Sequence, residues 1–210
     1  SVDSGSVDPL DAFLIQDAIS GGVAGALVTE LGLAQAKLPK LAGSTPAAEA
    51  YDLYLKGRSI WFRRGTADIG EAVSHLAEAV RIDPSFARAW AALASAYLTW
   101  PAYSSAGYAT WSEAGPAAEK ALTIDPGLAE PHAVLASAAA AERRWLDAAE
   151  GFEHALELDE QSTTTHYWYS ELLSKTGRYA ESVEHLARTL ELDPLYVAPK
   201  IDAIFALLTY

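Results

Sequence analysis

A short phrase recurs along this 210-residue chain and limits what it can fold into: an aliphatic helix end, then Ile/Leu-Asp-Pro, then a fresh helical pattern. It reads RIDPSFARAW at Pro84, TIDPGLAEPH at Pro126, ELDEQSTTTH at Glu160 and ELDPLYVAPK at Pro194. From Pro126 to Glu160 is 34 residues, and from Glu160 to Pro194 is 34 again. The residue before a proline is biased out of the α region, so the phrase ends one helix before the next begins. A fixed period of this size marks stacked helical repeats, each dependent on its neighbours to bury its apolar face. The expected fold class is all-α, a helical solenoid.

The period sets the organisation. Repeats are expected over about 47–84, 85–126, 127–160 and 161–194, followed by a lone helix over 197–210 whose apolar face is left showing. Within each, a first helix turns into a second whose small or aliphatic residues face its partner: Ala72, Leu76 and Ala79; Ala114, Ala118 and Ala121; Ala148, Phe152 and Ala155; then Leu186. Gly177 suits the left-handed position that closes a helix. The step from Pro84 to Pro126 is 42 residues, eight more than the period, and the surplus falls within PAYSSAGYATW at the turn between two helices. Trp100, Tyr103, Tyr108 and Trp111 crowd this insertion. They read as packing of an enlarged turn onto the solenoid, with an aromatic patch for a partner as the alternative. Tyr167, Trp168 and Tyr169 are consecutive on one helix and cannot share a face, so at least one lies near solvent or a groove.

Residues 1–46 read differently, as an N-terminal helix and linker left from a preceding domain. Phe13, Leu14, Ala18, Ile19, Val23, Ala26, Leu27 and Leu31 fall at helical spacing over 10–33. Gly21, Gly22 and Gly25 inside that helix point to close approach of another element. Residues 37–46, with two prolines and an Ala-Gly-Ser-Thr run, form the linker. The chain has no Met, not even at residue 1, so it reads as part of a longer protein. The stretch from Ile19 to Ala36 contains Thr29, Glu30 and Gln35 and is too polar for a spanning helix.

A formal net charge of −13 argues against nucleic acid and against an anionic membrane surface, both of which need Lys and Arg. The absence of Cys excludes disulfides and thiolate zinc sites. His75, His132, His154, His166 and His185 are scattered, and the His154/Glu157 and Glu150/Glu153 spacings follow repeat position. No His-Glu-x-x-His, Gly-x-Ser-x-Gly or phosphate-binding loop occurs. No catalytic residue, cofactor or metal is expected. Arg63-Arg64 and Arg143-Arg144 fall at the ends of first helices, where cations complement the helix dipole.

Trp90, Leu93, Ala94 and Tyr97 in one first helix, with Ala148, Phe152 and Ala155 in a later second helix, resemble the skeleton of the tetratricopeptide repeat (TPR), a 34-residue helix–turn–helix unit. His132 and His166 depart from it where Trp belongs, and Glu160 where Pro does. The resemblance implies a right-handed α-α superhelix whose first helices line a partner-binding groove. Mapped onto this chain, the groove residues are Tyr54, Arg58 and Trp61; Arg88, Ser95 and Leu98; Glu130 and Ser137; and Tyr167, Glu171 and Lys175. Chaperone-binding TPRs carry a Lys/Asn carboxylate clamp there, and Ala91, Ala133 and Tyr167 occupy its leading Lys slot here. A second resemblance covers residues 8–100. DAFLIQDAI followed by EAYDLYLKGRSIWFRR is similar to the TolB-like/TPR regulatory region of bacterial class III adenylate cyclases and winged-helix transcriptional regulators. Together these imply a cytoplasmic, non-catalytic protein–protein interaction module that regulates a larger bacterial signalling protein. The partner would be a protein or peptide. The alternatives are a homodimerisation device, which would cover the face of 197–210, or a small-ligand sensor.

Overall fold

The computed structural model describes residues 45, 47–63, 69–102, 107 and 111–195. The helix expected over 10–33, Tyr103, Tyr108 and the helix over 197–210 lie outside the described residues. The chain divides into two compact units, residues 1–42 and 43–210, and every described residue is in the second.

That unit is all-α. Its helices are α1 (Ala48–Phe62), α2 (Ile69–Ile82), α3 (Ala87–Thr99), α4 (Ala114–Ile124), α5 (Ala129–Ala141), α6 (Trp145–Leu158), α7 (Thr163–Lys175) and α8 (Tyr179–Leu192). Consecutive helices pack as four hairpins, α1/α2, α3/α4, α5/α6 and α7/α8, and each second helix also packs on the first helix of the next hairpin. First helices touch one another in turn, α1 to α3, α3 to α5 and α5 to α7. The insertion between α3 and α4 contributes two short 3-10 turns, Trp100–Ala102 and Trp111–Glu113.

Small side chains let the hairpins close. Gly57 faces α2 so closely that an added β-carbon would lie 2.6 Å from Leu76 Cγ and 3.1 Å from the Ala72 carbonyl oxygen. Ala94 in α3, Ala136 in α5 and Ser170 in α7 stand at the corresponding places and are all buried. Opposite them lie the residues the period assigned to the second helices, Ala72, Leu76 and Ala79 through Phe152 and Leu186, also buried. Burial of this kind contributes about 25 cal/mol per Å² of apolar surface, and it, rather than intrinsic helix propensity, holds short helices together.

The recurring phrase has a local geometry that explains why Asp persists where Pro does not. In all four copies the Asp carboxylate Oδ1 accepts a backbone N–H two residues on: Ser85 at 2.9 Å, Gly127 at 3.1 Å, Gln161 at 3.0 Å and Leu195 at 3.0 Å. This Asx turn satisfies an amide released by the end of the helix. The Asp83, Asp125, Asp159 and Asp193 amides in turn close the preceding helices on carbonyls four residues back. Glu160 can therefore replace proline while Asp159 keeps the turn.

The other end of each of the last two hairpins is closed by a left-handed residue. Gly177 has φ 80°, as its spacing predicts, and Arg143, 34 residues earlier, has φ 61°. Both make the same pair of closing bonds: Arg144 N–H to Ala139 O and Arg143 N–H to Ala140 O, then Arg178 N–H to Leu173 O and Gly177 N–H to Ser174 O. This is a Schellman closure. It corrects one expectation. Arg143 is the closing residue itself, and Arg144 opens α6, where its guanidinium pairs with Glu142 at 2.9 Å and Asp147 at 2.8 Å. Arg63 acts as expected, donating Nε–H to the Ser59 carbonyl at 3.3 Å. Among the described residues no helix is long and apolar enough to cross a membrane.

Candidate functional site

The contacting first helices α1, α3, α5 and α7 form one wall, and the residues mapped to a groove are distributed along it. Three of them come together. Arg58 Nη1–H donates to Glu130 Oε1 at 2.6 Å, and Ser95 Oγ–H donates to the same oxygen at 2.7 Å. Residues from three successive repeats thus share one carboxylate oxygen. The Arg58 guanidinium lies 4.6 Å from the centre of the Phe62 ring and 5.3 Å from that of Trp61. Both are within the range of cation–π attraction. The Trp61 indole N–H donates to Thr99 Oγ1 at 2.9 Å, tying α1 directly to α3.

Burial separates the mapped residues. Tyr54, Trp61 and Ser95 are interior, at 5%, 1% and 0% exposure. Tyr54 is held there by Phe86, whose ring centre is 5.0 Å away. Arg58, Arg88, Leu98, Glu130, Ser137, Tyr167 and Glu171 are half-buried, and Lys175 is exposed. Ser137 bonds back to the Ala133 carbonyl at 3.0 Å. Of the three consecutive aromatics, Trp168 and Tyr169 are buried and Tyr167 is partly open. The mapped residues that reach the surface are therefore Arg58, Arg88, Leu98, Glu130, Ser137, Tyr167, Glu171 and Lys175, backed by interior residues. Phe62 belongs with them and was missed. Its place four residues after Arg58, one helical turn on, was the signal.

His132 and His166 take over a contact that Trp90 makes in the second repeat. The Trp90 indole N–H donates to the Pro84 carbonyl at 3.0 Å. His166 Nε2 makes the matching contact to Glu160 O at 3.0 Å, and His132 Nε2 reaches Pro126 O at 3.5 Å. Imidazole can replace indole at this slot because each aims a ring N–H at a carbonyl six residues earlier. His166 Nδ1 also lies 2.8 Å from His185 Nδ1, joining α7 to α8. Burial, and then His166, hold the His185 pKa down to about 4. Beside it, the Tyr169 hydroxyl donates to Glu153 Oε1 at 2.9 Å, and burial followed by that carboxylate pushes the phenol up to about 12. No three His, Asp or Glu side chains among the described residues are grouped to hold a metal ion.

The two described tryptophans at the insertion differ in exposure. Trp100 is partly buried, with no hydrogen-bond partner for its Nε1 among the described residues, while Trp111 is 36% exposed.

Stacked helix hairpins with a shared first-helix wall define a helical-repeat solenoid. Residues 163–194, which hold α7 and α8, match the tetratricopeptide repeat family. Solved structures agree on the fold. TTC0263, a thermophilic TPR protein of Thermus thermophilus, aligns with a TM-score of 0.60 at 20% identity over 77% of this chain and 82% of its own. PilF of Pseudomonas aeruginosa aligns at 0.53 and 20% identity over 77% of this chain and 68% of its own. No curated protein sequence matches this one.

Proposed function

We propose that this chain is a non-catalytic TPR scaffold that binds an extended protein or peptide segment along the wall of first helices. The observation that carries the reading is the Arg58–Glu130–Ser95 cluster, flanked by Leu98 and the partly open Tyr167. Charged groups fixed in place and apolar anchors alternate along it. In such a groove charges select the partner and apolar side chains supply the affinity. The half-open acid and base of the wall favour a segment of mixed charge over a bare C-terminal carboxylate, since Ala91 and Ala133 stand where a clamp would need Lys. In this reading residues 47–210 are the solenoid and 1–46 belong to a preceding domain. The likeness of residues 8–100 to TolB-like/TPR regions further supports a regulatory role within a larger bacterial signalling protein, such as an adenylate cyclase. The test is a peptide array probed with the chain. Mixed-charge peptides should bind, and Tyr167→Ala with Arg88→Ala should weaken them at least tenfold. Binding that both substitutions leave unchanged overturns the assignment of the wall.

A further inference from the structure

The two ends of each hairpin differ in chemistry, and in the third and fourth repeats the difference is complementary. α6 runs from Trp145 at the turn end to Leu158 at the Asp-Pro end, about 20 Å at the helical rise per residue. At the turn end Trp145 is 39% exposed and Leu146 is 79% exposed, directly after Arg143 and Arg144. Thirty-four residues on, the next turn end presents Tyr179, 46% exposed, beside Arg178. At the Asp-Pro end Leu158 is 40% exposed and is followed by the exposed acids Asp159 and Glu160. Leu195, 65% exposed, lies beside Asp193 in the same way. The turn end carries exposed aromatics and arginines, of which Arg144 and Arg178 are paired with the acids beside them; the other end is acidic and aliphatic.

Arg143 is the informative residue at the basic end. Arg144 is paired with Glu142 and Asp147, and Arg178 with Glu181, whereas Arg143 is in no ion pair among the described residues. It also occupies a left-handed position that the next repeat gives to glycine, a conformation that strains any residue with a β-carbon. Strain kept beside an exposed tryptophan and leucine points to a use for the side chain.

We infer that the turn end of one copy docks on the Asp-Pro end of a second copy, with Trp145 and Leu146 over Leu158 and Arg143 against Asp159 and Glu160. Charge selects this occupant. A chain of net charge −13 repels itself when acidic ends meet, and its own acidic end supplies both the carboxylates and the exposed leucine that the basic end fits. The contact is heterologous, so copies add head to tail. Small patches of this kind make a transient interface. None of these residues is among those mapped to the groove, so this association is separate from the binding proposed above.

Sedimentation of the full chain from micromolar to millimolar concentration tests the inference. The wild type should gain mass with concentration. Arg143→Glu and Glu160→Arg, both at exposed positions, should each weaken self-association at least tenfold while the helical circular dichroism is unchanged. Mixing the two variants should restore association, because the intact basic end of one meets the intact acidic end of the other. A wild type that stays monomeric throughout overturns the proposal. So does self-association that neither variant weakens, which would place it on another surface, or a mixture that stays as weak as each variant alone.

Discussion

Arg58 and Glu130 stand 72 residues apart in sequence and 2.6 Å apart in space, linking the first repeat to the third. In a solenoid, stability is largely a sum of single-repeat and nearest-neighbour terms. This pair adds a bond that skips a neighbour, with Ser95 of the intervening repeat donating to the same oxygen. The Arg58 side chain is 13% exposed and that of Glu130 27%, so solvent screens the pair only in part. Glu130→Ala should cost about 2 kcal/mol in urea-induced unfolding, since a largely buried guanidinium and a buried hydroxyl both lose their carboxylate. Arg58→Ala/Glu130→Ala should cost less than the two single changes summed, by about 1 kcal/mol, and strict additivity would remove the link between repeats one and three.

Gly57 makes the closest helix–helix approach among the described glycines. Its missing β-carbon would sit 2.6 Å from Leu76 Cγ, and Leu76 is fully buried. Gly57→Ala should therefore destabilise by about 1–3 kcal/mol through overpacking, although alanine is the better helix former. Combining it with Leu76→Ala should cost less than the sum of the two, because the shortened side chain admits the new methyl. Thermal unfolding of the three variants decides this. A stabilising Gly57→Ala would mean that α1 and α2 pack less closely than described.

The period made the hairpins legible before any coordinates. Helix α2 ends at Ile82, before the Asp83-Pro84 phrase, and Gly177 takes the left-handed conformation its place demands. What spacing could not give was depth. The TPR resemblance puts Tyr54, Trp61 and Ser95 on the groove side, but Phe86, Thr99 and Glu130, contributed by later repeats, cover or engage them. Those partners are 32 to 38 residues away, and no local pattern reports them. The same limit applied to Arg143. A doublet of arginines reads as dipole compensation until the backbone shows one of them closing the helix with φ 61°. His132 and His166 looked like departures from the repeat because letters were compared. The shared chemistry, a ring N–H aimed at a carbonyl six residues back, appears only in three dimensions.

His185 makes stability depend on pH. Its folded pKa is held to about 4 against an ordinary 6.5, first by burial and then by His166, with Glu181 opposing and Arg178 assisting. Burial lowers the His132 pKa as well, with a small contribution from His154. A depressed histidine pKa means that the unfolded chain binds the proton more tightly. The neutral rings thus favour folding above about pH 6.5, and that contribution is lost as pH falls toward 4. The His185 ring is only half buried, and solvent screening reduces its share to about 1 kcal/mol. Carboxylates titrate in the lower part of the same window, so the informative measurement is a difference. The melting temperature of the wild type should fall more between pH 6.5 and pH 4 than that of His185→Gln. Equal slopes would show that the α7/α8 histidine contact carries no proton linkage.

Arg143→Gly separates folding from assembly. Glycine adopts φ near 61° without the steric cost that a β-carbon imposes. The Schellman bonds at this turn are made by backbone atoms that the substitution keeps. In dilute solution, where copies do not meet, the variant should be more stable than the wild type by about 0.5–1 kcal/mol. The same change removes the guanidinium from the basic end, so self-association at high concentration should weaken. A residue that served the fold alone would move both readouts in one direction. Chemical unfolding at micromolar concentration and sedimentation at millimolar concentration give the two values on one sample. Loss of stability in Arg143→Gly would mean that the arginine side chain supports the turn by more than its backbone strain costs, and the reason for an arginine at a glycine position would then lie within the repeat.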